Sequence, residues 1–465
     1  MGVAVAVGAG IFSIGAQAAA FHAGPAVVLS FLIAGVVCGA AVMCYAEFAS
    51  MIPVAGSAYT FTYTTVGEIV AWVIGWDLIL EMLMAGSVVS KYWGVYLNQF
   101  FELIGWNINT NIAIGSFNFD LAPVIIVAFF TALLVMGTKI GARVDGALTI
   151  LKIAIVVFIV VVGFFYIKAE NFTPFIPPSE PAASTDGSGV SAVMEQPLWQ
   201  WATGMAPSIY GVTGIISGAA LVFFAFLGFD VVATASEETI NPKKNVPLGI
   251  GVGLGLIIVL YTLVAIVTTG MVSYKDLAKQ SDPSLAVAFK MVGADWAAKI
   301  ISLGIVIGMA TVVMVLLLGL TRVVFAMSRD GLLPRGLSHT GKHGTPVRLQ
   351  IIVGVVMALI AACCNVGILS DMVNIGTLSA FTLVAISIPI MRKKRPDLER
   401  SFKIPGNPWV PILIAIANLW LMVNLSVLTW IRFVVWLIVG FAIYFGYGYR
   451  HARLGAGELE VAAQE

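Results

Sequence analysis

Gly8-Ala9-Gly10-Ile11-Phe12 and Phe224-Ala225-Phe226-Leu227-Gly228-Phe229-Asp230 decide how this chain is read. Each sets glycine into an apolar stretch long enough to cross a bilayer. Around them the sequence is apolar almost throughout. Of 465 residues, 60% are hydrophobic and 11% are charged. An ordinary soluble domain carries roughly 25% charged residues. So few charges cannot cover a surface in water. The composition excludes a cytosolic globular enzyme, a disordered chain and a secreted disulfide scaffold. It leaves an all-α, polytopic integral membrane protein. A membrane β-barrel would alternate over segments of about ten residues. Here the runs 25–46, 121–138 and 300–321 are continuous.

The apolar runs predict twelve transmembrane helices: 3–21, 25–51, 68–97, 120–138, 142–167, 214–236, 246–272, 298–327, 348–366, 369–391, 407–429 and 431–449. Residues 55–66 are too polar to span and fit a short interfacial helix. Residues 168–213 form one long polar segment, expected to be an external, variable loop. No Lys or Arg precedes the first run, so it is not a signal peptide. It reads as a transmembrane helix whose beginning lies upstream of Met1. With the N-terminus inside, seventeen Lys and Arg fall on the inner side and six on the outer, while Lys91 and Lys152 lie within spans. That bias predicts cytoplasmic termini.

Net charge is +1, so nothing points to nucleic acid. Cys38, Cys44, Cys363 and Cys364 all lie in apolar runs and read as packing residues. The four histidines are scattered, with no spacing for a metal site. No Gly-x-Ser-x-Gly elbow, His-Glu-x-x-His pair or Walker lysine is present, so no enzyme and no cofactor is expected.

The two glycine clusters stand in the first and sixth spans, five apart. Interrupted spans at corresponding places in two halves point to an inverted-repeat transporter with a site at the bilayer midplane. Unwound backbone is tolerated in a membrane only where it lines a protein cavity. Amides at the start of the outer half of span one, around Ala9 and Gly10, would attract a carboxylate. Carbonyls around Phe224, Ala225 and Leu227 would attract an ammonium. Together they would recognise an α-amino acid. Alternatively, Gly8 and Gly10 only allow close helix packing.

Lys152 lies deep in the fifth span, with at least fourteen uncharged residues following it. An ionisable group at that depth is a functional candidate, here a proton carrier. The other reading is a permanent ion pair with Glu81 or Asp230. Lys91, nearer the outer end of span three, reads as a snorkelling side chain. Asp77 and Glu81 share a face of that span. They and Asp230 read as scaffold hydrogen-bonding groups rather than substrate contacts. Asp77 could cap or pair with loop lysines, and Glu47 anchors the inner end of span two. Ser328–Pro334 reads as a helix end followed by a turn.

An ordered set of motifs carries a resemblance over nearly the whole chain. It comprises Gly8–Phe12, His22-Ala23-Gly24-Pro25-Ala26, Cys44-Tyr45-Ala46-Glu47-Phe48-Ala49, Pro53–Tyr59, Gly75-Trp76-Asp77-Leu78-Ile79-Leu80-Glu81, Phe223–Asp230, Asn241-Pro242 with Pro247, and Ser328–Pro334. In these the chain resembles the amino acid–polyamine–organocation (APC) superfamily, and within it the cationic amino acid transporters and their bacterial homologues. The resemblance implies a leucine-transporter-type five-plus-five inverted repeat with discontinuous helices 1 and 6, plus two C-terminal helices. The first repeat would be 1–167, the external loop 168–213, the second repeat 214–391, and the last two spans with the tail 392–465. It implies a substrate carboxylate on the amides of Ala9, Gly10 and Ile11, and an amino group on the carbonyls of Phe224, Ala225 and Leu227. Phe224 matches the aromatic gate. Lys152 matches the lysine that stands in place of a sodium ion in proton-coupled relatives. Leu316 aligns with a position facing the substrate side chain, and a leucine there favours small neutral amino acids over cationic ones. The family carries a full half-helix before the glycine cluster, whereas seven residues precede Gly8 here. The function expected is proton-coupled amino acid uptake across the plasma membrane by alternating access, with the amino acid, protons and the lipid bilayer as partners. An exchanger, or a sensor that binds without transporting, is the alternative; no ring of like charges suggests a channel.

Overall fold

A computed structural model of the chain describes residues 6–51, 59, 62–63, 67–106, 108, 110–114, 117–137, 142–182, 192–228, 241–280, 282–340, 345–396, 400 and 402–452. Helix dominates, as it must where backbone polar groups have no water to bond. The first helix, α1, covers 10–23: wide π-type turns at Gly10–Ile14 and Ala19–Ala23 flank an α-turn at Gly15–Ala18. Gly24, at φ +59°, breaks it and leads through the 3-10 turn Gly24–Ala26 into α2, Val27–Met51. There follow α3 (Glu68–Leu103), α4 (Leu121–Val135), α5 (Ala142–Phe164) and α6 (Gly211–Val222, continued by the 3-10 turn Phe223–Phe226). The rest are α7 (Pro242–Met271), α8 (Asp295–Arg329), α9 (Val347–Cys363), α10 (Val366–Lys394), α11 (Trp409–Val423) and α12 (Val427–Ile443).

Among the described residues, seven helical stretches are long and apolar enough to cross a membrane, with α1 and α2 joined as one, and four shorter apolar helices accompany them. The helix starts use expected chemistry. The Asp120 carboxylate accepts from the Ala122 amide (3.2 Å), Asn365 from Gly367 (2.9 Å), and the Ser426 hydroxyl from Thr429 (3.2 Å).

The interior is α3, packed between α8 and α10. Small residues set that packing: a Cβ on Gly319 would lie 3.1 Å from Met82 Sδ, and one on Gly376 would lie 3.2 Å from Leu80 Cδ2. α7 lies along α2, and α9 along α4. A reciprocal indole pair fixes α12 to α3. Trp76 Nε1 donates to the Trp436 carbonyl (2.9 Å), Trp436 Nε1 donates back to Trp76 (3.4 Å), and the rings stack with centroids 4.4 Å apart.

Several expectations change. α3 runs six residues past its expected end, to Leu103. Residues 104–120, unassigned by the apolar pattern, carry the hairpin β1 (Asn111–Ile114) and β2 (Phe117–Asp120). The described residues of the polar segment after α5 carry regular structure. β3 (Glu180–Pro181) pairs with β4 (Ser208–Ile209). The helix Leu198–Thr203 is bound to the α11–α12 joint, where Trp199 Nε1 donates to Asn424 Oδ1 (2.8 Å) and Leu198 N to the Leu425 carbonyl (3.0 Å). Cys363 is exposed at the end of α9 rather than packed within a span. Lys91 Nζ donates to the Ala361 carbonyl, in the last turn of α9, at 3.0 Å. Of the expected interfacial helix 55–66, only Tyr59, Thr62 and Tyr63 are described, all three helical and buried.

Candidate functional site

The two glycine clusters meet. The chain bends at Val7 and Gly8, and α1 starts winding immediately after. On the other side α6 tightens into a 3-10 turn and then comes apart: Leu227 is extended (ψ 151°) and Gly228 takes φ +104°. Gly10 lies directly against Ala225. A Cβ on Gly10 would collide with the Ala225 Cα and would sit 2.6 Å from its Cβ and 2.9 Å from its nitrogen. Only glycine permits this approach.

A helix that begins or ends inside an apolar core leaves backbone groups without helical partners. Here scaffold side chains supply several. Tyr261 on α7 donates to the Ala6 carbonyl at 2.6 Å, just before the bend. Tyr96 on α3 donates to the Phe12 carbonyl at 2.6 Å, just after it. Asn374 on α10 donates to Leu221 O (3.1 Å), and the Cys38 thiol on α2 reaches Phe226 O (3.7 Å). The C-terminal end of α1 is held in the same way. Tyr210 donates its hydroxyl to Ala20 O (2.7 Å) and its amide to His22 O (3.0 Å), while His22 Nδ1 and Ser217 Oγ bond at 3.1 Å. Burial pushes the Tyr210 phenol up to about 12, so it stays a donor across neutral pH.

The expected site residues are placed as follows. Ala9, Gly10 and Ile11 form the first turn of α1, where amides lack an intrahelical acceptor by position. Phe224 and Ala225 lie in the 3-10 turn, and Leu227 in the extended link. The Phe224 carbonyl accepts from the Leu227 amide (3.3 Å), and all six residues are buried or nearly so. Lys152 is buried on α5 against α8; a Cβ on Gly308 would touch its Cγ at 3.0 Å. Leu316 is buried eight residues further along α8, about 12 Å down the axis. No described contact joins it to Gly10 or Phe224. Asp77 is fully buried beside Ser379 of α10, and among the described residues no lysine pairs with it. Glu81 is buried on the same helix. Asp230 lies outside the described residues.

Glu47 is the anchor expected of it. Its carboxylate accepts from Arg392 Nε (2.8 Å) and Nη2 (2.6 Å) and from the Ile404 amide (2.9 Å). This ties α2 to α10 and to the segment beyond. Asp330 follows α8 as its cap and accepts from the Tyr59 hydroxyl (3.0 Å); Gly331, at φ +84°, makes the turn.

Sequence reading missed the tyrosines, Asn374 and Cys38. Their signal was present as isolated polar groups within apolar runs. Their partners, however, lie 84 to 255 residues away.

A cavity of about 10 Å³ adjoins α1, lined by Ile11, Gly15, Ala16, Phe31, Val264 and Thr268 among others. That is room for one water at most. Between α1 and the end of α6, Gly10 and Ala225 are in direct contact.

Among the described residues, α1 begins and α6 ends against each other inside a bundle of apolar helices, the build of a multi-pass membrane protein. The sequence model of the amino acid permease family matches residues 1–445, and the chain belongs to that family, within the APC superfamily. It is 40% identical to a methylthioribose transporter of Bacillus subtilis (strain 168), over 98% of this chain and 92% of the relative. It is equally similar, at 40% over the same shares, to the branched-chain amino acid permease BcaP of that organism. It is 36% identical to the vacuolar cationic amino acid transporter 2 of Arabidopsis thaliana, over 85% of this chain and 59% of the relative. Amino acid transport is the activity these relationships support.

Proposed function

We propose that this protein is a secondary active permease that takes up small neutral amino acids with a proton, across the plasma membrane, by alternating access. The observation that carries the reading is the contact of Gly10 with Ala225. It juxtaposes the amide end of α1 with the carbonyl end of α6, which are the two poles a zwitterion needs. Parting them opens a chamber, and closing them seals it. The amides of Ala9, Gly10 and Ile11 hold the substrate carboxylate. The carbonyls of Phe224, Ala225 and Leu227 hold its ammonium, Phe224 closes over it, and Leu316 limits its side chain. Twelve spans in a five-plus-five repeat, with both termini cytoplasmic, complete the proposed topology.

Lys152 carries the proton in this scheme. Buried between α5 and the scaffold helix α8, it is attached to the helices that must move against each other. The relatives named for branched-chain and for cationic substrates bracket the specificity, and an apolar Leu316 favours the neutral side.

A thermal-shift screen of the purified protein against the common amino acids identifies the substrate, because a ligand of the folded state raises the melting point. Counterflow in liposomes then separates a carrier from a sensor, which exchanges nothing. Lys152→Ala should insert, bind substrate and lose uptake driven by a pH gradient. Gradient-driven uptake surviving in that variant would refute the coupling role.

A further inference from the structure

A groove of about 690 Å³ opens where α5 and α7 end, far from the Gly10–Ala225 contact. Its floor is apolar, with Ile167, Met271, Val272, Met291 and Val292. Its rim carries both charges: Lys168 and Lys279 with Glu170 and Asp276. The frame is fixed. Lys168 N (2.9 Å) and Asn171 Nδ2 (2.7 Å) both donate to the Gly270 carbonyl at the end of α7. The rim is free to exchange partners. Lys279 and Asp276 pair at 2.7 Å, but their side chains are 73% and 53% exposed, where such a pair is worth little.

The side chains near the groove are apolar and exposed. Phe164, Phe165, Trp296 and Ile300 beside it are all about half exposed or more, Phe165 by 81%. Phe158 of α5 packs edge-on against Trp296 of α8. Exposed Trp and Tyr side chains at helix ends mark the membrane–water boundary, and Trp296 stands at the start of α8. Charged groups of both signs over an apolar floor at that depth match an amphiphile with a zwitterionic head.

We propose that the groove binds the headgroup of a phospholipid bearing a phosphate and a free primary ammonium, the phosphatidylethanolamine class. The phosphate takes Lys168 and Lys279, the ammonium takes Glu170 and Asp276, and the acyl chains descend over Phe164, Phe165 and Trp296. Charge-assisted hydrogen bonds to the two carboxylates need N–H donors. A choline head has none, and a glycerol head has no cation. A free amino acid carries both charges but leaves the apolar floor uncovered. The lipid also touches the outer closure. The helix Tyr274–Leu277, one wall of the groove, packs on the α1–α2 joint, where a Cβ on Gly24 would lie 3.5 Å from Tyr274 Cγ.

Native mass spectrometry tests this on the purified full chain. The probe is an equimolar mixture of phosphatidylethanolamine, phosphatidylcholine and phosphatidylglycerol with identical acyl chains. Phosphatidylethanolamine should be retained about threefold over either of the others. The Lys168→Gln/Glu170→Gln double variant should retain all three alike. Its melting temperature should be unchanged, because both side chains are exposed. Asp276→Asn, on the opposite wall, repeats the test should the double variant melt lower. Equal retention by the wild type, retention of phosphatidylglycerol above phosphatidylethanolamine, or a preference that survives the substitutions overturns the proposal. Displacement of the lipid by millimolar free glycine would assign the groove to amino acids and overturn it equally. Transport is not measured, so the result stands apart from the permease reading.

Discussion

Gly10→Ala adds a single methyl group where the start of α1 packs against Ala225 at the end of α6. The new carbon would sit 2.6 Å from the Ala225 Cβ, 2.9 Å from its nitrogen and nearer still to its Cα. Two of those three atoms are backbone, and alanine has no rotamer to change. Overpacking of this kind costs about 1–3 kcal/mol. If the breaks part when the site opens, the cost falls on the closed arrangement alone. The closed-to-open ratio then drops by about 5- to 150-fold. A cycle that must pass through closure slows in proportion. The assay is counterflow of radiolabelled substrate in proteoliposomes, with reconstituted protein quantified. Gly255→Ala on α7 is the control, since a Cβ there meets nothing within 4 Å. In a helix interior that substitution gains about 0.5–1 kcal/mol, so the control should melt no lower and exchange normally. Wild-type exchange by Gly10→Ala would refute the argument that closure runs through this contact.

Glu47→Ala strands Arg392 in a largely buried position and should destabilise the fold by about 3–5 kcal/mol, read as a lowered melting temperature in detergent. Tyr261→Phe and Tyr96→Phe each remove the hydroxyl from a buried carbonyl beside the α1 bend. Each should cost about 1–3 kcal/mol, and in chemical unfolding the double variant should cost roughly the sum, because the two donors sit on different helices. Leu316→Ala should cost about 2–5 kcal/mol as a core truncation. If it shapes the substrate pocket, it should also shift the thermal-shift profile towards bulkier neutral amino acids.

Much of this architecture is legible in one sequence, because a membrane-spanning helix writes its own signature. The runs 27–46, 246–271 and 372–391, which become most of α2, α7 and α10, carry no charge for 20 to 26 residues, and within one segment only a helix satisfies such a backbone in lipid. Gly228 was legible too: a glycine between Leu227 and Phe229 in an apolar run is costly unless the backbone needs it, and it takes φ +104°. What the sequence did not disclose depends on distant partners. Tyr96 and Tyr261 look like ordinary aromatic packing until the chain brings Phe12 and Ala6 to them. The helix Leu198–Thr203 is held by Asn424 and Leu425, over two hundred residues away, so the segment around it read as a variable loop. The partner of Lys91 was hidden for the same reason. A lysine near a helix end suggests snorkelling, and only the fold presents the Ala361 carbonyl to it.

The two tyrosine tethers on the first helix give it a mechanical character. Ala6 is moored to α7 and Phe12 to α3, on opposite sides of the bend at Gly8. Any sliding of α7 past α3 therefore pulls the two flanks in different directions and delivers torque to the glycine between them. Gly8 is then less a gap in a helix than a universal joint, loaded from both ends by hydroxyl groups.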